Sequence, residues 1–230
     1  MNIEEMHVTF RELAQQMGIQ TVRAILPENI DICLNVAIVD IVKEIIATTV
    51  GYHPQNDKIA RNNAAVASIN GLRTLYKKNT IVANFQGEGS MMNPFTTDVI
   101  DFSVMIYTGF KVSYDGKTLY DCRIIENEDL GQTIHDYCNR PTKEHPICNV
   151  YGKDNSIKID FVTGTNTFAK PKHIQYLYIE QPATVLYDEE DTTKNINCNL
   201  PIHLHQDVVK RAVDVYLRSI GAISKSKNND

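Results

Sequence analysis

The stretch KHIQYLYIEQP, residues 172–182, alternates with a period of two, which is the pattern of a β-strand. It places Ile174, Tyr176 and Tyr178 on one face and His173, Gln175, Leu177 and Ile179 on the other. Pro182 ends regular pairing or marks a sheet edge. An acidic turn follows at Asp188-Glu-Glu-Asp191, then Leu200-Pro-Ile-His-Leu-His-Gln206, then a helix expected over residues 206–221. That helix carries Val209, Ala212, Val213, Tyr216 and Ile220 on one face, with Lys210, Arg211, Asp214 and Arg218 off it.

Working back from this strand, the period stays at two as far as Asp101. Phe102, Val104 and Ile106 lead to Val112 and Tyr114, and Asp115-Gly116 signals a hairpin. The return strand holds Tyr120, Cys122 and Ile124, and a short helix spans residues 128–138. A second strand pair turns at Lys153-Asp-Asn155, and the 172–182 strand is expected to join it. Further back the period is helical. Asn2 and Glu5 form a capping-box pair before Ile3, Met6, Phe10, Leu13 and Met17, with Gly18 as the stop. Residues 19–26 connect to Pro27, which suits the first position of a very apolar second helix bearing Ile30, Leu34, Ala37, Ile38, Ile41, Val42 and Ile45. So apolar a helix is buried on most of its circumference, in the core or against a neighbouring subunit. Asp57 caps a third helix expected to reach about Lys78. Residues 81–98 show little periodicity and are expected to form an extended arm.

The resulting class is α+β: N-terminal helices, a mostly antiparallel β-sheet, and a closing C-terminal helix. One domain is expected over residues 1–223, helical to about 80 and β-rich over 99–187, with a disordered tail at 224–230.

With 230 residues and 43% hydrophobic side chains, the chain can bury a substantial core. Its net charge of −5 argues against a general nucleic-acid binder, though not against a local basic patch. Cys33, Cys122, Cys138, Cys148 and Cys198 form no CxxC pair and are read as reduced thiols in a cytosolic setting. No basic-then-apolar leader and no 18-residue apolar run is present, so neither secretion nor membrane insertion is expected.

Enzyme chemistry finds little support. His203-x-His205, His135-x-x-Cys138 and His145-x-x-Cys148 could each offer two metal ligands, but a site needs three or four that converge. Cys138 with His135 has helical proximity without a recognisable nucleophile signature. The lone Gly87-Glu-Gly89 precedes no helix and is not a phosphate loop. Tyr176 and Tyr178 near Lys170 and Lys172 could form a single-strand nucleic-acid platform, but their alternation favours packing against a helix or a neighbouring subunit.

Three segments carry a family resemblance: the first helices from Met6 to Ile46, Arg140-Pro141 through Ile147, and Tyr178-Ile-Glu-Gln-Pro182 through Leu200-Pro201 into the last helix. Together they resemble the ring, or head–tail connector, proteins of tailed bacteriophages, the crAss-like group in particular. The resemblance implies a virion structural protein of the neck or tail rather than an enzyme, assembled in the host cytoplasm and needing no cofactor. It implies self-association into a closed ring, twelvefold because the portal is dodecameric. The implied partners are the portal and other neck or tail rings, with DNA passing through the channel without specific binding. Phe85, Met91, Phe95, Asp115, Tyr176, Tyr178 and Asp188 are the candidate contacts with a neighbour. A metal-dependent or Cys/His enzyme, with His203 and His205 as its weak metal candidates, and a DNA-contacting packaging factor are the alternatives. Those two histidines at the mouth of the last helix could also make assembly pH-sensitive.

Overall fold

The computed structural model describes residues 1–17, 25–50, 71–82, 84–90, 92–99, 104–126, 128–153, 156–164 and 168–220. The connector at 19–24, the third helix over 57–70 and the tail at 224–230 lie outside the described residues. The fold is α+β. The sequence placed residues 1–223 in one domain; the structure groups the chain into two compact units. One combines Met1–Leu75 with Pro182–Asp230, and the other is Tyr76–Gln181. None of the described helices is long and apolar enough to cross a membrane.

Three long helices form the helical unit among the described residues. α1 spans Ile3–Gln16 and opens on the expected capping box. The Glu5 N–H donates to Asn2 Oδ1 at 2.7 Å, and the Asn2 N–H donates to Glu5 Oε2 at 3.0 Å. α2, Pro27–Val50, begins on proline as expected, because the first turn has no use for that missing N–H. It buries Ile30, Leu34, Ala37, Ile38, Ile41 and Val42. The chain's last helix, His205–Ser219, packs against both. It buries Val208, Val209, Ala212, Val213 and Leu217, whereas Ile220, expected on that face, is half exposed. The Phe10 ring meets Tyr216 edge-on at 5.9 Å.

Between the β-rich unit and this last helix, residues 182–204 are mostly irregular, and asparagine side chains satisfy much of their backbone. Asn35 both donates to the Val185 carbonyl (3.0 Å) and accepts from its N–H (2.8 Å), as a neighbouring strand would. Asn199 accepts from the Ala183 N–H at 3.2 Å and Asn195 from that of Asp188 at 2.8 Å, while Asn197 reaches out of the segment to accept from the Ile3 N–H at 2.8 Å.

The other unit is a seven-stranded sheet of order β1-β7-β3-β4-β5-β6-β2. Its strands are β1 (Tyr76–Val82), β2 (Phe95–Val99), β3 (Val104–Ser113), β4 (Tyr120–Ile124), β5 (Ile147–Lys153), β6 (Ser156–Val162) and β7 (His173–Glu180). All pairs are antiparallel except β4 with β5, where Arg123 faces Ile147 and Ile124 faces Cys148. A parallel join needs a long crossover, and residues 125–146 supply it, including the short helix α3, Leu130–His135. The last helix, His205–Ser219, is α4. The sheet curls so that Phe110 of β3 meets Phe161 of β6 at 6.3 Å, over a core completed by Phe85, Phe95, Ile159, Ile174 and Tyr176.

Three expectations are corrected. The third helix does not reach Lys78: Tyr76–Val82 is an edge strand pairing with β7. Its residues 77–80 are all exposed and polar, so the strand lacks the alternation that would have revealed it, while Lys77 and Lys78 protect a free sheet edge from further pairing. The 172–182 strand joins β1 and β3, not the β5–β6 pair. Residues 81–98 are not an extended arm. They complete β1, turn through a Gln86–Thr96 bridge and enter β2, because Phe85 and Phe95 bury beside Phe161. The two glycines make that turn. Gly87 and Gly89 have φ of 91° and 86°, and a Cβ on Gly87 would lie 1.9 Å from the Pro94 carbonyl oxygen. Gly87→Ala is expected to destabilise this unit by about 2 kcal/mol or more, read as a drop in the urea midpoint.

Candidate functional site

The interface candidates fall into two groups. Phe85, Phe95, Tyr176 and Tyr178 are all buried in the core of the β-rich unit, Tyr176 at 2% exposure. The reading of those tyrosines as exposed contacts is therefore corrected: the alternation was right, but the face it defines is filled by the unit's own sheet. Tyr107 packs edge-on against Tyr176 at 5.9 Å, and Asn79 Nδ2 donates to the Tyr176 hydroxyl at 2.9 Å. Met91 lies outside the described residues.

Asp115 and Asp188 remain accessible, and each organises its own turn. Asp115 Oδ1 accepts from the N–H groups of Lys117 and Thr118, both at 2.8 Å, and these donors hold its carboxyl far below the usual carboxylate range. The hairpin turn expected at Asp115-Gly116 is thereby formed, with Gly116 at φ 78°. Asp188 accepts from the N–H groups of Asp191 (3.0 Å) and Glu190 (2.9 Å), which lower its pKa. Lys194 lies 3.6 Å from Asp188 and 3.3 Å from Asp191. This acidic turn is thus wired rather than merely solvated.

The histidines separate. His203 is exposed, whereas His205 is buried, with Nδ1 3.0 Å from the Met1 carbonyl oxygen and Nε2 2.8 Å from that of Leu200. Carbonyls only accept, so both bonds form when the ring donates from both nitrogens. Neither nitrogen is turned toward a metal. Among the described residues, no three His, Cys, Asp or Glu side chains are grouped so as to hold a metal ion.

A buried polar pair escaped the sequence reading. His7 Nε2 lies 2.8 Å from Asp31 Oδ1, and Asp31 Oδ2 accepts from the Tyr187 N–H at 3.0 Å. The Tyr187 ring packs on the imidazole at 4.6 Å. The pair ties α1, α2 and the 182–200 segment together. Its signal lay in the register: residues 3, 7, 10 and 14 share the buried face of α1, so a histidine at position 7 had to find a buried partner.

α2 shows an unexpected outward face. Ile32 (61% exposed) and Val36 (42%) stand four residues apart, continued by the partly buried Val39, and Leu26 (60%) lies just before the helix. Helical spacing puts Ile32, Val36 and Val39 in one row, away from the face that packs on α4. The groove between α2 and α4 has different chemistry. Its volume is about 470 Å³, and it mixes Glu44, Asp207 and Asp214 with Lys210 and Arg211, Arg211 pairing Glu44 at 2.7 Å.

No protein-family model matches this chain, and no curated protein shows significant similarity to it in sequence.

Proposed function

We propose that this chain is a virion structural protein that closes into a ring in the neck of a tailed bacteriophage, between portal and tail, and shapes the DNA channel. The reading rests on the sequence resemblance. The structural observation that carries it furthest is the outward row Ile32, Val36 and Val39 on α2. Burying a large aliphatic side chain is worth about 1.5–3 kcal/mol, so a row left in water is material for an interface. A ring uses heterologous contacts whose rotation closes, so this face would meet a different surface of the next copy. Asp115 and Asp188, on ordered and accessible turns, are candidates for that opposing surface. The core aromatics are not.

Native mass across a concentration series is the test. A discrete oligomer near twelve copies is the expected result, and Ile32→Asp with Val36→Asp is expected to dissociate it while the secondary structure stays intact. A protein that remains monomeric at every concentration and also with a purified portal would overturn the ring.

A further inference from the structure

We infer that the β-rich unit carries a phosphate-binding cleft formed by Arg123, Tyr137, Cys138, Arg140, Thr142 and His145. The inference is independent of the ring reading. The cleft has a volume of about 420 Å³ and is made where the β4–β5 crossover folds back on β4. Its lining contains two guanidiniums, an imidazole, a hydroxyl, a phenol and a thiol, and no carboxylate. In a chain of net charge −5, that local excess of cations is the basic patch the composition left open.

The groups are held in place. Arg123 donates through Nη1 to Asn139 Oδ1 at 3.2 Å and through Nη2 to the Asn139 carbonyl. A guanidinium has five N–H donors, so others remain for a ligand. Arg140 Cζ lies over the Tyr137 ring, 4.7 Å from its centroid, a cation–π contact that consumes none of the N–H donors, while Tyr137 is 79% exposed. The walls are closed by hydrogen bonds: Arg140 N–H to the Asp136 carbonyl at 2.8 Å, His145 N–H to Thr142 Oγ1 at 3.1 Å, and Thr142 N–H to the His145 carbonyl at 3.2 Å. Asp136 stands behind this turn. Its carboxylate accepts from the Asn139 amide and the Cys138 N–H, which with Arg123 lower its pKa, so it braces the turn and does not line the cleft. Two guanidiniums and a hydroxyl lining one cleft suit a phosphate group, whose oxygens accept in forks.

Cys138 provides the readout. It is exposed, whereas Cys33, Cys122, Cys148 and Cys198 are buried, and burial raises the pKa of all four. Alkylation of the folded protein should therefore report on this cleft alone. The experiment compares the rates at which iodoacetate (an anion) and iodoacetamide (neutral) modify Cys138, followed by intact mass. Two cations within reach should raise the iodoacetate-to-iodoacetamide ratio about threefold to tenfold over that of free cysteine at low salt. The double variant Arg123→Gln, Arg140→Gln should return the ratio to the free value. Because Arg123 also braces Asn139, Arg140→Gln alone should lower it as well. Inorganic phosphate should slow the neutral iodoacetamide saturably, and chloride at matched ionic strength should not, whereas iodoacetate slows with either salt because its attraction is screened.

A nucleoside monophosphate in place of phosphate separates the two sources of the group. Protection at lower concentration, lost in Tyr137→Ala, assigns a nucleotide whose base lies on the tyrosine. Equal protection assigns the phosphate group alone. A ratio equal to that of free cysteine at low salt, a ratio unchanged by the substitutions, or chloride protecting against iodoacetamide as well as phosphate would each overturn the inference.

Discussion

Asp31→Ala is expected to lower the unfolding free energy by about 3–5 kcal/mol, a large share of the stability of a protein this size. His7 is 1% exposed and the Asp31 side chain 7%, so the carboxylate has no solvent to fall back on. Both of its oxygens are in use, one on His7 and one on the Tyr187 N–H. Deletion strands a buried imidazole and a buried backbone donor together, and each unmet group carries its full desolvation cost. It also removes the side chain that holds α1, through His7, and the Tyr187 backbone to α2. Replacing both partners, His7→Leu with Asp31→Leu, should recover much of the loss, since two apolar groups leave nothing unpaired. Urea unfolding followed by circular dichroism measures the cycle. A single-variant loss below about 1 kcal/mol would show that the pair is not what joins these elements.

Phe161→Ala should cost about 3–5 kcal/mol, the typical price of emptying a fully enclosed aromatic position. The Phe161 ring is 0% exposed and meets Phe85 at 5.8 Å and Phe110 at 6.3 Å, both near-perpendicular. Those contacts bridge the β2–β6 side of the curled sheet to the β3–β7 side. The cavity would open where the sheet folds onto itself, and the surrounding strands, fixed by their ladders, can collapse into it only in part. Val82→Ala, at an edge position 76% exposed, should change stability by no more than about 0.5 kcal/mol and serves as the contrast.

What could be read from the sequence was whatever a local rule determines. Asn2 and Glu5 cap α1 because a capping box is written in four residues. Pro27 opens α2, and Asp115-Gly116 turns β3 into β4, for similarly local reasons. Alternation at Ile174, Tyr176 and Tyr178 identified both the strand and its buried face. It could not say what covers that face, because partners such as Tyr107 on β3 and Asn79 on β1 sit far along the chain. β1 was missed since Lys77, Lys78, Asn79 and Thr80 carry no apolar period, and only pairing with β7 makes them a strand. β2 was read as an arm for the same reason: Phe95 is buried by Phe161, which no nearby residue announces. The cleft at Arg123 and Arg140 shows the limit most clearly. Its residues span 123–145 and meet only because a two-residue parallel pairing brings β4 beside the end of the crossover.

The division of the chain also has a consequence in time. The helical unit is interrupted after Leu75 and resumed at Pro182, and the strands bordering the interruption pair with each other, Tyr76 opposite Ile179. During synthesis, then, the inserted unit has all its strands once Gln181 has left the ribosome. α1 and α2 have no such independence, because the helix that covers them, with Val208, Val209 and Val213, follows the inserted unit in the chain. At about 5–20 residues per second, the roughly one hundred inserted residues keep them waiting for about 5–20 s. Throughout that interval α2, with Ile30, Leu34 and Ile38 on its buried face, lacks the cover of α4, and it is then that a chaperone or a second nascent chain has its best access to the protein.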